Sequence, residues 1–245
     1  MALDRSRSIS PSIMSAAIDP PRGLVIASGC WIVLAGFGAF GSQLPLHLSP
    51  AGLAPSVRLM LATCAGGMFV AWPLIRLSQV QGDRVLGTTM IDAISLACLW
   101  QLVLWPLRLA TPWPIERALL VDIAAIATLA GVSGFVAAGS AMTRSSARGL
   151  AMICSLTLAT GILLPLAAIG SPTHDFSMVF LGGIPTILSL MDSPTSHPTS
   201  GDWQAVAWFS LVNVGLLCLG MLIALASPLQ AKLRGNLVAG GRWVG

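Results

Sequence analysis

A chain of 245 residues that is 55% hydrophobic and 9% charged, with a mean hydropathy of +0.84, carries more apolar surface than one soluble core can hide. Its net charge of +4 is spread over separate connections and forms no basic stripe, which sets nucleic-acid binding aside. The composition is that of an integral membrane protein, with the lipid bilayer as its first partner.

The leader, 1–22, is polar, carries Arg5, Arg7 and Arg22 with Pro11, Pro20 and Pro21, and is read as cytoplasmic. Six mostly apolar runs follow, at about 23–44, 59–75, 85–107, 118–142, 149–170 and 205–227. Each approaches the roughly 20 residues a helix needs to cross the hydrocarbon layer. Backbone groups in lipid must be paired within their own segment, and no run alternates like a barrel strand, so all six are expected to be α-helices. The first run is longer than a signal-peptide core and lacks a small-x-small cleavage site, so it reads as an uncleaved helix. The expected fold is a single all-α transmembrane domain of six helices over 23–228, followed by a basic cytoplasmic tail, 229–245.

Basic residues set the orientation. Arg76 and Arg84, then Arg144 and Arg148, then Lys232, Arg234 and Arg242 share every second connection with the leader, while the others hold only Arg58, Arg108 and Arg117. Short cytoplasmic loops collect Lys and Arg, so both termini are expected inside, in a plasma (inner) membrane. The uncharged segment 176–191 is short for a crossing and is interrupted by Gly182, Gly183 and Pro185. If it crossed, the basic tail would lie outside, so a re-entrant or interfacial segment between helices five and six is expected. With no tyrosine, Trp72, Trp105, Trp113 and Trp203 are the expected interfacial anchors. Small residues four apart, at Ala130, Gly134 and Ala138 and at Gly67 and Ala71, suit close helix packing within the bundle or a homodimer face.

The chemistry-bearing residue types are sparse. Cys30, Cys64, Cys98, Cys154 and Cys218 fall one per helix with no metal or redox spacing, and read as small apolar fillers. His47, His174 and His197 all lie in expected outer loops, which leaves the helices without a haem ligand. The single lysine, Lys232, follows the last helix and offers no Schiff-base position within the bundle. No cofactor and no metal are expected. Charged groups at membrane depth are functional candidates by default, and two are present, Asp92 and Asp122. Asp122 is close enough to the outer end of its helix to meet Arg108 or Arg117. Asp92 is the better candidate to line a path, with Gln101 and Asn213 as further polar lining.

The motif Gly131-Val132-Ser133-Gly134 resembles the GxSG that carries the nucleophile of rhomboid intramembrane proteases. A serine nucleophile needs a base, and the expected sixth helix offers Asn213-Val214-Gly215 and no histidine, so no enzyme is expected. A second resemblance covers more of the chain. Six helices, both termini inside, an outer segment at 176–191, and Asp83-Arg84 followed by Gly87-Thr88 make the chain similar to ABC-2-type permease subunits. That resemblance implies the membrane half of an exporter. No GxxxxGK[ST] loop is present, so a separate ATPase would dock at Asp83, Arg84, Gly87 and Thr88, and the working unit would hold two membrane halves. Substrate would pass along Asp92, Gln101 and Asn213, with Pro165 bending the fifth helix. The alternative is a non-catalytic anchor or scaffold subunit of a larger membrane complex.

Overall fold

The computed structural model describes residues 22–41, 50–79, 85–142, 145–161, 182–191 and 197–240. Among them the order is α1 (Arg22–Phe40), α2 (Pro50–Gly66), a π-helical turn (Gly67–Ala71), α3 (Trp72–Ser78), α4 (Val85–Leu109), α5 (Ile115–Ala141), α6 (Ser145–Thr160), α7 (Gly183–Leu190) and α8 (Ser200–Gly240). Among the described residues, five stretches are long and apolar enough to cross a membrane: Gly23–Phe40, Gly52–Ser78, Val85–Leu109, Ile115–Ala141 and Ser200–Ser227. Their outward faces are apolar too. Phe37, Leu102 and Leu109 are 73%, 69% and 78% exposed, an arrangement that water would oppose and lipid favours. The chain is an integral, multi-pass membrane protein.

The second helix is longer than the apolar run at 59–75 suggests, mainly because α2 begins at Pro50, and α2, the π turn and α3 continue one another to Ser78. The π turn has a local cause. Pro73 has no N–H to return to the turn before it and its ring crowds the carbonyl of Phe69, so the helix widens just upstream, where the Trp72 N–H reaches back to the Gly67 carbonyl. Widening leaves room at Gly67 for the indole of Trp31, whose Nε1 donates to the Thr63 carbonyl at 2.9 Å and ties α1 to α2.

α5 is the axis of the bundle: 72% of its crossing segment is buried, against 11% for α1 and 22% for α8. α4 turns back onto it through the connection at 110–114 as an antiparallel neighbour. α8 runs parallel to α5, as a series of contacts records: His197 with Glu116 at 3.8 Å, Asn213 on Gly131, and Gly220 on Gly134. A Cβ at Gly220 would collide with the Gly134 carbonyl oxygen, so the two backbones touch at this crossing. The start of α8 is set by a reciprocal cap. The Thr199 N–H donates to Asp202 Oδ2 at 2.8 Å, and the Asp202 N–H donates to Thr199 Oγ1 at 3.2 Å.

α6 and α7 lie end to end along α5. Ala151 packs on Gly139 and Leu158 on Gly131, so α6 climbs α5 from its C-terminal end and stops at Gly161, beside the middle of α5. There Gly161 takes φ 69°, the left-handed conformation that ends helices, and its N–H donates to the Thr157 carbonyl at 2.8 Å. α7 begins at the same level. Gly182, with φ 88°, sits against Gly161, and Gly183 sits against Thr128, about 20 Å along α5 from Ile115. From there α7 continues in the direction of α6 to Leu190, whose carbonyl accepts a 2.7 Å hydrogen bond from the buried Arg117 at the start of α5. The fifth helix, expected over 149–170, therefore ends at Thr160. Gly161 ends the helix, and Pro165 would in any case have denied its carbonyl the next donor. The segment expected at 176–191 is a helix over 183–190 packed inside the bundle. The remaining parts of both segments, 162–181 with Pro165 and His174, lie outside the described residues. So do the leader 1–21, His47, Asp83, Arg84, Arg144, Asp192 and Arg242.

Gly182 offers a direct check. A side chain there is strained at φ 88° and meets the backbone of Gly161, so Gly182→Ala is expected to lower stability by about 1 to 3 kcal/mol, read from the midpoint of detergent-induced unfolding.

Candidate functional site

The polar side chains inside the bundle gather at separate points, each joining two helices. α4 carries two of them on opposite faces. Asp92, 3% exposed, turns toward α3, where Arg76 Nε stands 3.0 Å from its Oδ2 and the Trp72 indole N–H donates to the same oxygen at 3.5 Å. Arg76 is near the last turn of α3, so its long side chain reaches back into the bundle while its backbone stays at the helix end. Nine residues further on, half a rotation around α4, Gln101 faces α5. Its Nε2 donates to Asp122 Oδ1 at 2.8 Å and to Oδ2 at 2.9 Å, and its Oε1 accepts the Trp105 indole N–H at 2.5 Å. Trp72 and Trp105, expected as interfacial anchors, thus turn their N–H groups to polar partners on α4. Arg117, expected near Asp122, holds α7 through the Leu190 carbonyl.

Asn213 belongs to a third point, between α8 and α5. It is 1% exposed, and its Nδ2 donates to the Phe209 carbonyl of its own helix at 2.8 Å. Its Oδ1 is buried with no hydrogen bond and lies over Gly131, where a Cβ would occupy the same space. The oxygen is therefore turned to the Cα–H face of Gly131, a weak contact that only glycine permits. Asp92, Gln101 and Asn213 are not brought to one wall. The first two point to different neighbours, and the third is on another helix.

This geometry also explains the Gly131-Val132-Ser133-Gly134 motif. Gly131 receives Asn213, Gly134 receives the α8 backbone at Leu216 and Leu217, and Ser133, 1% exposed, donates its hydroxyl to the Leu129 carbonyl at 2.6 Å. The hydroxyl is held by its own helix, and the polar side chain across the interface is Asn213, an amide with no basic lone pair to take a proton. Ser133→Ala is expected to change stability by less than about 0.5 kcal/mol, and Ser133 is expected to resist serine-directed phosphonate probes in the intact protein.

An apolar cavity of about 110 Å³ opens between α1, the α2–α3 helix and α4, lined by Trp31, Gly67, Met68, Trp72, Leu96 and Trp100. Two of these tryptophans touch the polar points: Trp72 donates to Asp92, and the buried indole nitrogen of Trp100 faces Asp122 without making a sound hydrogen bond. Gly87 and Thr88 are exposed on the first turn of α4, where Thr88 Oγ1 donates to the Val85 carbonyl at 3.0 Å. By sequence alone Asp122 is a residue near the rim. The overlooked signal was Gln101, which lies on the part of α4 that an antiparallel hairpin brings level with Asp122.

No protein-family profile, curated protein or solved structure matches the chain.

Proposed function

We propose that the chain is the membrane-spanning permease subunit of a transport system driven by a separate ATPase. The observation that carries this reading is the end-to-end meeting of α6 and α7 beside the middle of α5. Together they supply 24 helical residues, about 36 Å, enough to make one interrupted crossing. On this reading the membrane domain has six crossings. The ends carrying Arg22, Arg76, Arg148, Lys232 and Arg234 face the cytoplasm of a plasma membrane, where the positive-inside rule puts them. Interrupted helices recur in transporters because their ends place backbone groups at mid-membrane, where substrates or ions bind. Asp92, Gln101 and Asn213 are the polar positions open to a substrate path if the helices part. The ATPase docks at Asp83 and Arg84 with Gly87 and Thr88.

A second reading, an anchor or scaffold subunit, is favoured by a different observation. The two buried carboxylates, Asp92 and Asp122, are engaged by neighbouring helices, while α1 and α8 leave most of their apolar surface uncovered for lipid or partner helices. Mild-detergent purification of the tagged full chain, with mass spectrometry of what stays bound, separates the two. A stoichiometric ATPase subunit that Arg84→Glu releases supports the permease. An assembly with no ATPase, unaffected by Arg84→Glu, overturns it in favour of the scaffold.

A further inference from the structure

The two intramembrane carboxylates differ in one respect that matters for chemistry. Asp92 has a cation, Arg76, at 3.0 Å. Asp122 is 9% exposed and has neutral N–H donors only, with no cation within ion-pair distance among the described residues. The charged groups on the elements around it are engaged elsewhere or stand apart. On α5, Glu116 is beside His197, and Arg117 is bound to the Leu190 carbonyl. On α8, Asp202 caps its own helix. On α4, Arg108 is about two turns beyond Gln101, its Nε buried without a hydrogen bond. α7 contributes no titratable side chain.

From this arrangement we propose that Asp122 is a proton-binding site, and that its occupancy resets the Gln101–Asp122 contact between α4 and α5 and, with it, the Gln101–Trp105 bond within α4. The ligand class follows from the atoms facing the carboxylate. A metal ion needs lone pairs, and what Asp122 meets is the Gln101 amide N–H group, with the Trp100 indole N–H turned toward it but unbonded. The amide cannot simply turn over to offer its oxygen, because Oε1 is held by Trp105. An ionised carboxylate accepts from Gln101 through both oxygens. When a proton from the water at the near end of α5, about 10 Å away, adds to one oxygen, that oxygen becomes a donor facing a donor. The Gln101 amide then keeps only the unprotonated oxygen as acceptor and has to shift toward it, and the bond that Gln101 accepts from Trp105 changes with it. Release of the proton to the same interface restores the bidentate contact.

Trp105 makes the event visible. The tryptophan emission of the full-length protein in phospholipid nanodiscs, followed between about pH 4 and pH 9, is expected to show a one-proton transition. The transition should persist in Asp92→Asn and in His197→Gln, vanish in Asp122→Asn, and reappear with a displaced midpoint in Asp122→Glu. If Asp122→Asn does not fold, the glutamate variant decides, because a midpoint equal to that of the unmodified protein overturns the proposal. A transition that survives in Asp122→Asn overturns it too, as does the absence of any transition in the unmodified protein.

Discussion

Leucine in place of Gly220 should cost this protein about 3 kcal/mol of stability, the largest loss expected from any single substitution outside the polar points. At Gly220 the backbone of α8 rests on the Gly134 carbonyl of α5, and at Gly134 the backbone of α5 rests on Leu216 and Leu217. No side chain intervenes, so nothing can adopt another rotamer to make room, and even one methyl group forces the helices apart. Because α5 is the axis, separation there also loosens Asn213 from Gly131. The graded series Gly220→Ala and Gly220→Leu should therefore fall progressively in detergent-induced unfolding. Gly215 provides the control: it is on the same helix with nothing within 4 Å of its missing Cβ, and Gly215→Ala should be neutral or stabilising by about 0.5 to 1 kcal/mol. Equal loss at both positions would mean that α8 does not cross α5 as described.

Next in size is the effect of removing the carboxylate of Asp92. Burying one charge with its partner is nearly balanced, whereas deleting one member of a buried pair leaves the other uncompensated, typically at 3 to 5 kcal/mol. Arg76 retains 20% of its side-chain exposure and can lean toward the interface, so about 2 to 3 kcal/mol is expected for Asp92→Asn. The double variant Arg76→Gln, Asp92→Asn should recover at least about 1 kcal/mol of this. Strict additivity of the two single losses would show that Arg76 and Asp92 are not coupled.

The helical, membrane-bound character was legible because it depends on composition and on run length, which lipid imposes on any chain. Most helix positions were legible for the same reason, and the starts and ends that moved did so for local causes. The second helix grew mainly at its start, where α2 begins at Pro50, a residue suited to a first helical turn and well ahead of the apolar run. The fifth stopped early because a run of apolar residues hides a backbone event: Gly161 is as apolar as its neighbours, and only its left-handed conformation ends the helix. The interior polar points were half legible. Asp92 and Asp122 stand out in a chain that is 9% charged, but which neighbour each one meets depends on helix rotation, a quantity that a uniformly apolar surface does not record. Gln101 and Asn213 suggest lining because they are polar. Gln101 instead bridges to Asp122, and Asn213 fits a glycine across the α5–α8 crossing. The Gly-x-Ser-Gly spelling is ambiguous for the same reason, since glycines that permit a close crossing, as Gly131 and Gly134 do here, are spelled like glycines that surround a nucleophile.

The interrupted crossing proposed for α6 and α7 is tested most directly at the contact between Gly183 and Thr128. With the native cysteines replaced, Thr128→Cys and Gly183→Cys should join as a disulfide in native membranes under mild oxidation, because a Cβ at 183 would lie 3.0 Å from the Thr128 Cβ, and a small outward shift reaches the roughly 3.5 to 4.5 Å that such a bond needs. Efficient cross-linking, detected as a linked peptide after proteolysis, is the expected result. Failure to cross-link, together with ready labelling of Gly183→Cys by a membrane-impermeant thiol reagent, would place α7 at the membrane surface and contradict the interrupted crossing.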